Sequence, residues 1–319
     1  MKIIKNPSKK DWTQILERPT KTVDDIEKTV NQIFEDILRN GNAAVQKYTD
    51  LFDGVSLENN IVSVEEIDEA ITEVSQELKE AIKLAKDNIT KFHIAQKTDK
   101  LFVETANGIS CWQEKKAIQK VGLYIPGGTA PLFSTVLMLA IPATIAGCKE
   151  IVLCSPPNKE GKIHSAILYA ADLCGVTKII KVGGIQAIAA YTFGTETVPK
   201  VYKIFGPGNQ FVTVAKQLAT KYGVAIDMPA GPSELLVVAD DSANASYVAS
   251  DLLSQAEHGA DSQVILVSTS KKMIDKVSIE IQKQLLELPR VDIAQKAIAN
   301  SKSIFVSISI DLSIGIVYA

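Results

Sequence analysis

The 319 residues, 46% hydrophobic and 22% charged, exclude a disordered or fibrous chain and exceed what one core normally serves, so two α/β lobes are expected. A formal net charge of -3 removes the electrostatic case for a nucleic-acid partner, because such sites leave a basic footprint. Residues 1–10 lack the apolar core of a signal peptide, and no run approaches the roughly 20 apolar residues that cross a bilayer; no membrane partner and a cytoplasmic location are expected.

Residues 1–21 read as a short N-terminal helical arm. From Thr22 to Gly41 the apolar residues Val23, Ile26, Val30, Ile33, Phe34, Ile37 and Leu38 recur every three or four positions, with a glycine after them, which predicts an amphipathic helix. The same period continues through Ile67, Ile71, Val74, Leu78, Ile82, Ile89 and Phe92, predicting two helices or one broken helix. Strand-like runs at 101–105 and 109–112 flank Asn107-Gly108, a hairpin signal because both turn residues tolerate positive φ.

From Val121 the rhythm changes. Short apolar strands at 121–125, 151–154, 179–182, 203–205, 235–239 and 264–268 alternate with helical stretches at 133–146, 162–173, 185–193, 209–222, 244–258 and 271–287, as in parallel sheets covered by crossovers. The turn Pro229-Ala-Gly-Pro232 is the natural lobe boundary. Residues 123–234 therefore read as a lobe inserted between two halves, 22–122 and 235–319, of another lobe. Residues 303–319 are strand-like, apolar and uncapped, and read as the point where a longer chain is cut. Cys111, Cys148, Cys154 and Cys174 form no Cys-x-x-Cys pair and are expected as reduced thiols, largely in core positions.

Three glycine-rich turns follow predicted strands and lead into predicted helices: Tyr124-Ile-Pro-Gly-Gly128, Gly183-Gly-Ile-Gln186 and Gly206-Pro-Gly-Asn209. Glycine lets a backbone approach a ligand, and helix N-termini offer N–H groups to phosphate. One such turn is what any α/β protein needs at a corner, whereas three on one lobe favour an anionic ligand. None fits Gly-x-Gly-x-x-Gly, so the pattern alone does not specify a nicotinamide cofactor. Asp227-Met-Pro-Ala-Gly-Pro-Ser233-Glu234 reads equally as a rigid connector or a cleft wall. In Ser254-Gln-Ala-Glu-His-Gly259, Gln255 and His258 fall three residues apart at a predicted helix end, on one face, and an amide oxygen and a neutral imidazole can both ligate a metal, with Glu257 or Asp261 orienting the ring. An exposed helix end is the bland alternative. His93 and His164 have no ligand-like context, so two donors leave any such site incomplete.

Val121-Gly-Leu-Tyr-Ile-Pro-Gly-Gly128, Val182-Gly-Gly-Ile-Gln-Ala-Ile188, Ile204-Phe-Gly-Pro-Gly-Asn209, Ile226-Asp-Met-Pro-Ala-Gly-Pro-Ser-Glu234 and Ala249-Ser-Asp-Leu-Leu-Ser-Gln-Ala-Glu-His258 together resemble the histidinol dehydrogenase family, in order and across essentially all of 20–319. The resemblance implies two Rossmann-like lobes and oxidation of L-histidinol to L-histidine through an aldehyde, in two hydride transfers to NAD. It implies that Tyr124, Gln186 and Asn209 contact NAD, that Ser233, Gln255 and His258 contact the substrate, and that Gln255 and His258 ligate a zinc ion that positions it. The family's catalytic Glu-His pair and remaining zinc ligands are expected beyond Ala319, with one ligand from the other subunit of a homodimer. No catalytic acid or base is therefore expected within the 319 residues, and the chain alone is expected to be inactive. The alternative is a non-catalytic fragment that binds NAD or phosphate.

Overall fold

The computed structural model describes residues 1–17, 23–127, 131–229, 234–260 and 262–307. They belong to two compact units, Val23–Ala230 and a smaller one made of Met1–Thr22 with Gly231–Ala319. Among the described residues no helix is long and apolar enough to cross a membrane.

The chain opens in the smaller unit with β1 (Lys2–Lys5) and α1 (Trp12–Leu16). The larger unit follows with α2 (Val23–Asp53), α3 (Val64–Glu73), α4 (Gln76–Ala95) and the hairpin β2 (Leu101–Ala106) and β3 (Ile109–Gln113). Its alternating part runs β4 (Lys120–Tyr124), α5 (Phe133–Ala146), β5 (Glu150–Ser155), α6 (Ser165–Leu173), β6 (Lys178–Lys181), α7 (Gly184–Phe193), β7 (Lys203–Phe205), α8 (Gln210–Lys221) and β8 (Ala225–Ile226). These five strands form one parallel sheet in the order β6-β5-β4-β7-β8.

A parallel sheet is buried on both faces, and the period of two along each strand divides its side chains between them. Val121, Leu123, Ile151, Leu153 and Ile179 pack with Ala70 of α3, Ile82 of α4, Val136 and Ile141 of α5, and Ile167 of α6. Tyr124, Val152, Cys154, Ile180 and Ile204 point the other way, onto Ile33, Phe34 and Tyr48 of α2, Ile188 and Tyr191 of α7, and Val212 and Leu218 of α8. The helices of 23–95 are thus part of the cover of this sheet. That corrects the expectation that 22–122 joins 235–319 in a separate lobe: the crossovers alone leave both faces partly bare, and the N-terminal helices close them.

The hairpin and the first helix differ in detail from the sequence reading. Of the two turn residues only Gly108 takes a positive φ, and the pairing register shifts between Glu104 and Ala106, so the turn is not doubly left-handed. The first helix does not stop at Gly41. It bends there, at φ 51 and ψ -129, and resumes because the Glu196 carboxylate accepts the Asn42 N–H at 3.0 Å while the Thr197 hydroxyl donates to Asn42 Oδ1 at 2.9 Å. Of the cysteines, Cys154 and Cys174 are buried and Cys148 is half-buried, whereas Cys111 is exposed on β3.

The smaller unit continues with β9 (Glu234–Ala239), α9 (Ala245–Ala256), β10 (Gln263–Ser268), α10 (Lys271–Leu285), α11 (Val291–Asn300) and β11 (Lys302–Phe305). Its sheet order is β1-β11-β10-β9, all parallel. Two expectations change here. The N-terminal arm is helical only in part: it carries α1, but it opens with a strand, because Lys2–Lys5 pairs along β11. The strand predicted to be left bare at the end of the chain has its described part inside the sheet, with Ser303 and Ile304 fully buried between β1 and β10; residues 308–319 lie outside the described residues. The sequence reading also omitted β1, α11 and the two-residue β8.

Tyr191 shows how tightly the larger unit is keyed. Its ring lies where a Cβ on Gly122 would approach to 3.0 Å, and its hydroxyl reaches the Leu123 and Val152 carbonyl oxygens, at 3.0 and 2.9 Å, in neighbouring strands. Tyr191→Phe is expected to lower unfolding stability by about 1–2 kcal/mol, since two buried carbonyls lose that donor. An unshifted urea midpoint would contradict this account.

Candidate functional site

In the larger unit the chain leaves β4 for β5 and β6 on one side and returns through β7 and β8 on the other. The crevice at the carboxyl ends of β4 and β7 is therefore a topological switch point, where open α/β sheets bind ligands. All three glycine turns lie on this edge, because each follows the C-terminal end of a strand, β4, β6 or β7. Gly128 lies outside the described residues.

Tyr124 ends β4 with its ring buried, and its hydroxyl accepts the Gly184 N–H at 3.1 Å, so the first turn of α7 is tied to the end of β4. Burial pushes the Tyr124 phenol up to about 12, with the nearby Asp53 carboxylate adding to the rise. Gly206 takes φ 134 and packs so closely that a Cβ would stand 2.1 Å from the Tyr124 carbonyl oxygen, which only glycine permits. Asn209 is the exposed N-cap of α8, its Oδ1 accepting the Val212 N–H at 3.1 Å.

Gln186 is the anomaly of this edge. It is fully buried in α7, and neither its amide oxygen nor its amide nitrogen has a hydrogen-bond partner. A buried amide left unsatisfied costs about 1–3 kcal/mol. Tyr124, Gln186 and Asn209 thus fall on one sheet edge.

The second group of predicted residues belongs to the smaller unit. Gln255 lies in the last turn of α9 and is half-buried; the helix ends at Ala256, and His258 stands just past it and is exposed. The His258 N–H donates to the Gln255 carbonyl at 3.2 Å, which continues the coil for one tighter turn and keeps both residues at the helix end. Glu234 at the start of β9 is paired in register with Gln263 at the start of β10, so the two strands begin on the same edge of that sheet. Ser233 and Asp261 lie outside the described residues. Elsewhere, His164 caps α6 by accepting the Ala166 N–H at 3.1 Å, and His93 Nδ1 is 2.7 Å from Gln96 Oε1, so both serve local structure. Among the described residues no group of three or more His, Cys, Asp or Glu side chains is placed to hold a metal ion.

Two residues escaped the sequence reading. Lys216 lies on the buried stripe of α8 and donates to the Gly206 carbonyl oxygen at 2.7 Å, while Asp227, flagged only as part of a connector, is its ion-pair partner. The available signal was a lysine at helical spacing among Val212, Ala215 and Ala219. The other is Asp53, whose carboxyl oxygen Oδ2 is buried without a partner.

The histidinol dehydrogenase family model matches residues 16–318. The chain belongs to that family. It is 58% identical over 306 residues to the histidinol dehydrogenase of Bacteroides fragilis, covering 96% of this chain and 72% of the relative, and 53% identical over 294 residues to that of Escherichia coli, covering 91% and 67%. The crystal structure of histidinol dehydrogenase from Elizabethkingia anophelis superposes with a TM-score of 0.91 at 52% identity, over 99% of this chain and 73% of that one. Membership of the histidinol dehydrogenase family makes the chain an oxidoreductase, whose family reaction is histidinol oxidation in histidine biosynthesis.

Two expectations follow from the unpartnered groups. Gln186→Met is expected to raise the melting temperature of the ligand-free protein by removing an unsatisfied buried amide, and a lowered melting temperature would show that the amide serves the fold. Burial pushes the Asp53 carboxyl from 3.8 up to about 6. Ionisation then opposes folding, with no penalty below the unfolded value and a growing one until pH passes about 6. Urea midpoints of the unmodified protein should therefore fall relative to Asp53→Asn as pH rises from about 4 to 6; parallel curves would refute the shift.

Proposed function

We propose that this chain takes part in the oxidation of L-histidinol to L-histidine through an aldehyde, in two hydride transfers, by seating NAD on the carboxyl edge of the five-stranded sheet and part of a zinc site on Gln255 and His258, in a cytoplasmic homodimer that needs groups besides those described to turn over. The carrying observation is the buried, unpartnered Gln186 amide beside the Tyr124 and Gly206 turns. A dinucleotide fits this edge: the N-termini of α7 and α8 offer N–H groups to its pyrophosphate, and Gln186 offers a donor and an acceptor to its polar groups. Tyr124, held protonated by burial, would remain neutral beside that charge at working pH. For zinc the donors fit in kind, an amide oxygen and an imidazole, but two of them half-fill a tetrahedral site. Further ligands then come from outside the described residues. When bound, NAD supplies the hydride acceptor, and the metal supplies a Lewis-acid anchor for the substrate's imidazole and amine. The chain's own part is to orient: Gln255 and His258 fix the substrate end through the metal, and Ser233, next to Glu234 on the same segment, adds a hydroxyl contact.

A second reading is NAD or phosphate binding without turnover, which the glycine turns after β4, β6 and β7 on one sheet edge would serve by themselves. NADH formation from L-histidinol that requires added zinc supports oxidation; NAD binding without NADH formation supports the second reading. Gln255→Leu and His258→Ala should each lower zinc affinity more than about a hundredfold, since loss of an outer-shell partner alone costs about 10–100-fold, and leave NAD titrations unchanged. Zinc retention by both variants would remove these residues from the metal.

A further inference from the structure

The turn that carries Asn209 is held by a buried ion pair that the proposed function leaves unexplained. Lys216 is 5% exposed, and its Nζ both donates to the Gly206 carbonyl oxygen at 2.7 Å and pairs with the Asp227 carboxylate. The other oxygen of Asp227 accepts the Gly206 N–H at 2.8 Å. Both backbone polar groups of a single glycine are thus gripped by one pair of opposite charges. That same glycine rests against the Tyr124 carbonyl oxygen at the switch point.

A buried ion pair is a poor way to gain stability, because desolvating both charges consumes much of their attraction, and well-packed apolar residues often do as well. Its advantage is geometric: charge-assisted hydrogen bonds are short and directional, and a fixed pair admits few alternative backbone positions. Gly206, by contrast, is the residue type freest to move. From Gly206 the chain reaches the N-cap Asn209 in three residues.

We infer that the Lys216–Asp227 pair is a positioning device for the cofactor turn: by clamping the N–H and C=O of Gly206 it sets where residues 206–209 and the N-terminus of α8 meet the dinucleotide. Lys216 touches no ligand itself; it acts through Gly206. Asp227 also begins the 227–234 connector, so one carboxylate anchors the cofactor turn and the start of that segment. The inference rests on the NAD reading above and adds a residue pair to it.

Calorimetric titration of the full 319-residue protein with NAD, without zinc or histidinol, tests it. Lys216→Met is expected to weaken NAD binding by about ten- to a hundredfold, the range for loss of a charge-assisted hydrogen bond. Lys216→Met alone leaves the Asp227 carboxylate unpaired, so the double variant Lys216→Met with Asp227→Asn removes both charges and should melt nearer to the unmodified protein than the single variant does. NAD binding that stays weak in the double variant, despite recovered melting temperature, supports positioning. NAD binding that recovers along with melting temperature overturns it, as does unmodified affinity in Lys216→Met. An unmodified protein that binds no NAD removes the cofactor reading itself and this inference with it, a result distinct from failure of the clamp alone.

Discussion

Everything in the larger unit follows from the need to cover both faces of a parallel sheet. Val121 and Leu123 face one way and Tyr124 the other, so neither face of β4 can be left to water. Helices α2, α7 and α8 meet one face and α3 to α6 the other, which leaves the strand ends as the place where backbone can still reach a ligand. The glycine turns, the Tyr124 hydroxyl bond to Gly184 and the Gly206 contact all lie on that remaining edge.

Much of this was legible in the sequence, for identifiable reasons. The strands from Val121 onward are continuous apolar runs between turn residues, and both signals are local. Gly183 and Gly206 announced themselves as corners leading into helices. The grouping of segments was not legible. The stripe from Ile26 to Tyr48 states that α2 must be covered, but not by which sheet, since any apolar face satisfies it equally. The bend at Gly41 escaped for a similar reason: a glycine after a periodic run is the usual sign of a helix end, and the groups that restart the helix, Glu196 and Thr197, are about 155 residues away in sequence.

The chemistry was legible unevenly. Spacing placed Gln255 and His258 at a helix end, but could not show that Ala256 is the last helical residue, because the extra turn depends on one backbone hydrogen bond. Lys216 was hidden by habit, since lysine is ordinarily assigned to solvent; only its position on the stripe of α8 marks it as inward. The unpartnered amide of Gln186 has no sequence signature, because satisfaction is a property of neighbours. Family resemblance named that residue, and the structure adds a reason to single it out.

The central place of β11 has a consequence for how the polypeptide matures. Lys2–Lys5 pairs only with a strand some 300 residues later, Lys2 opposite Lys302. During synthesis the first strand must therefore wait while Val23–Ala230, whose contacts close among themselves, emerges and can fold ahead of it. The smaller unit is assembled last, around a gap in its own sheet, and any stall before residue 305 leaves β1 and β10 as open edges available to other chains.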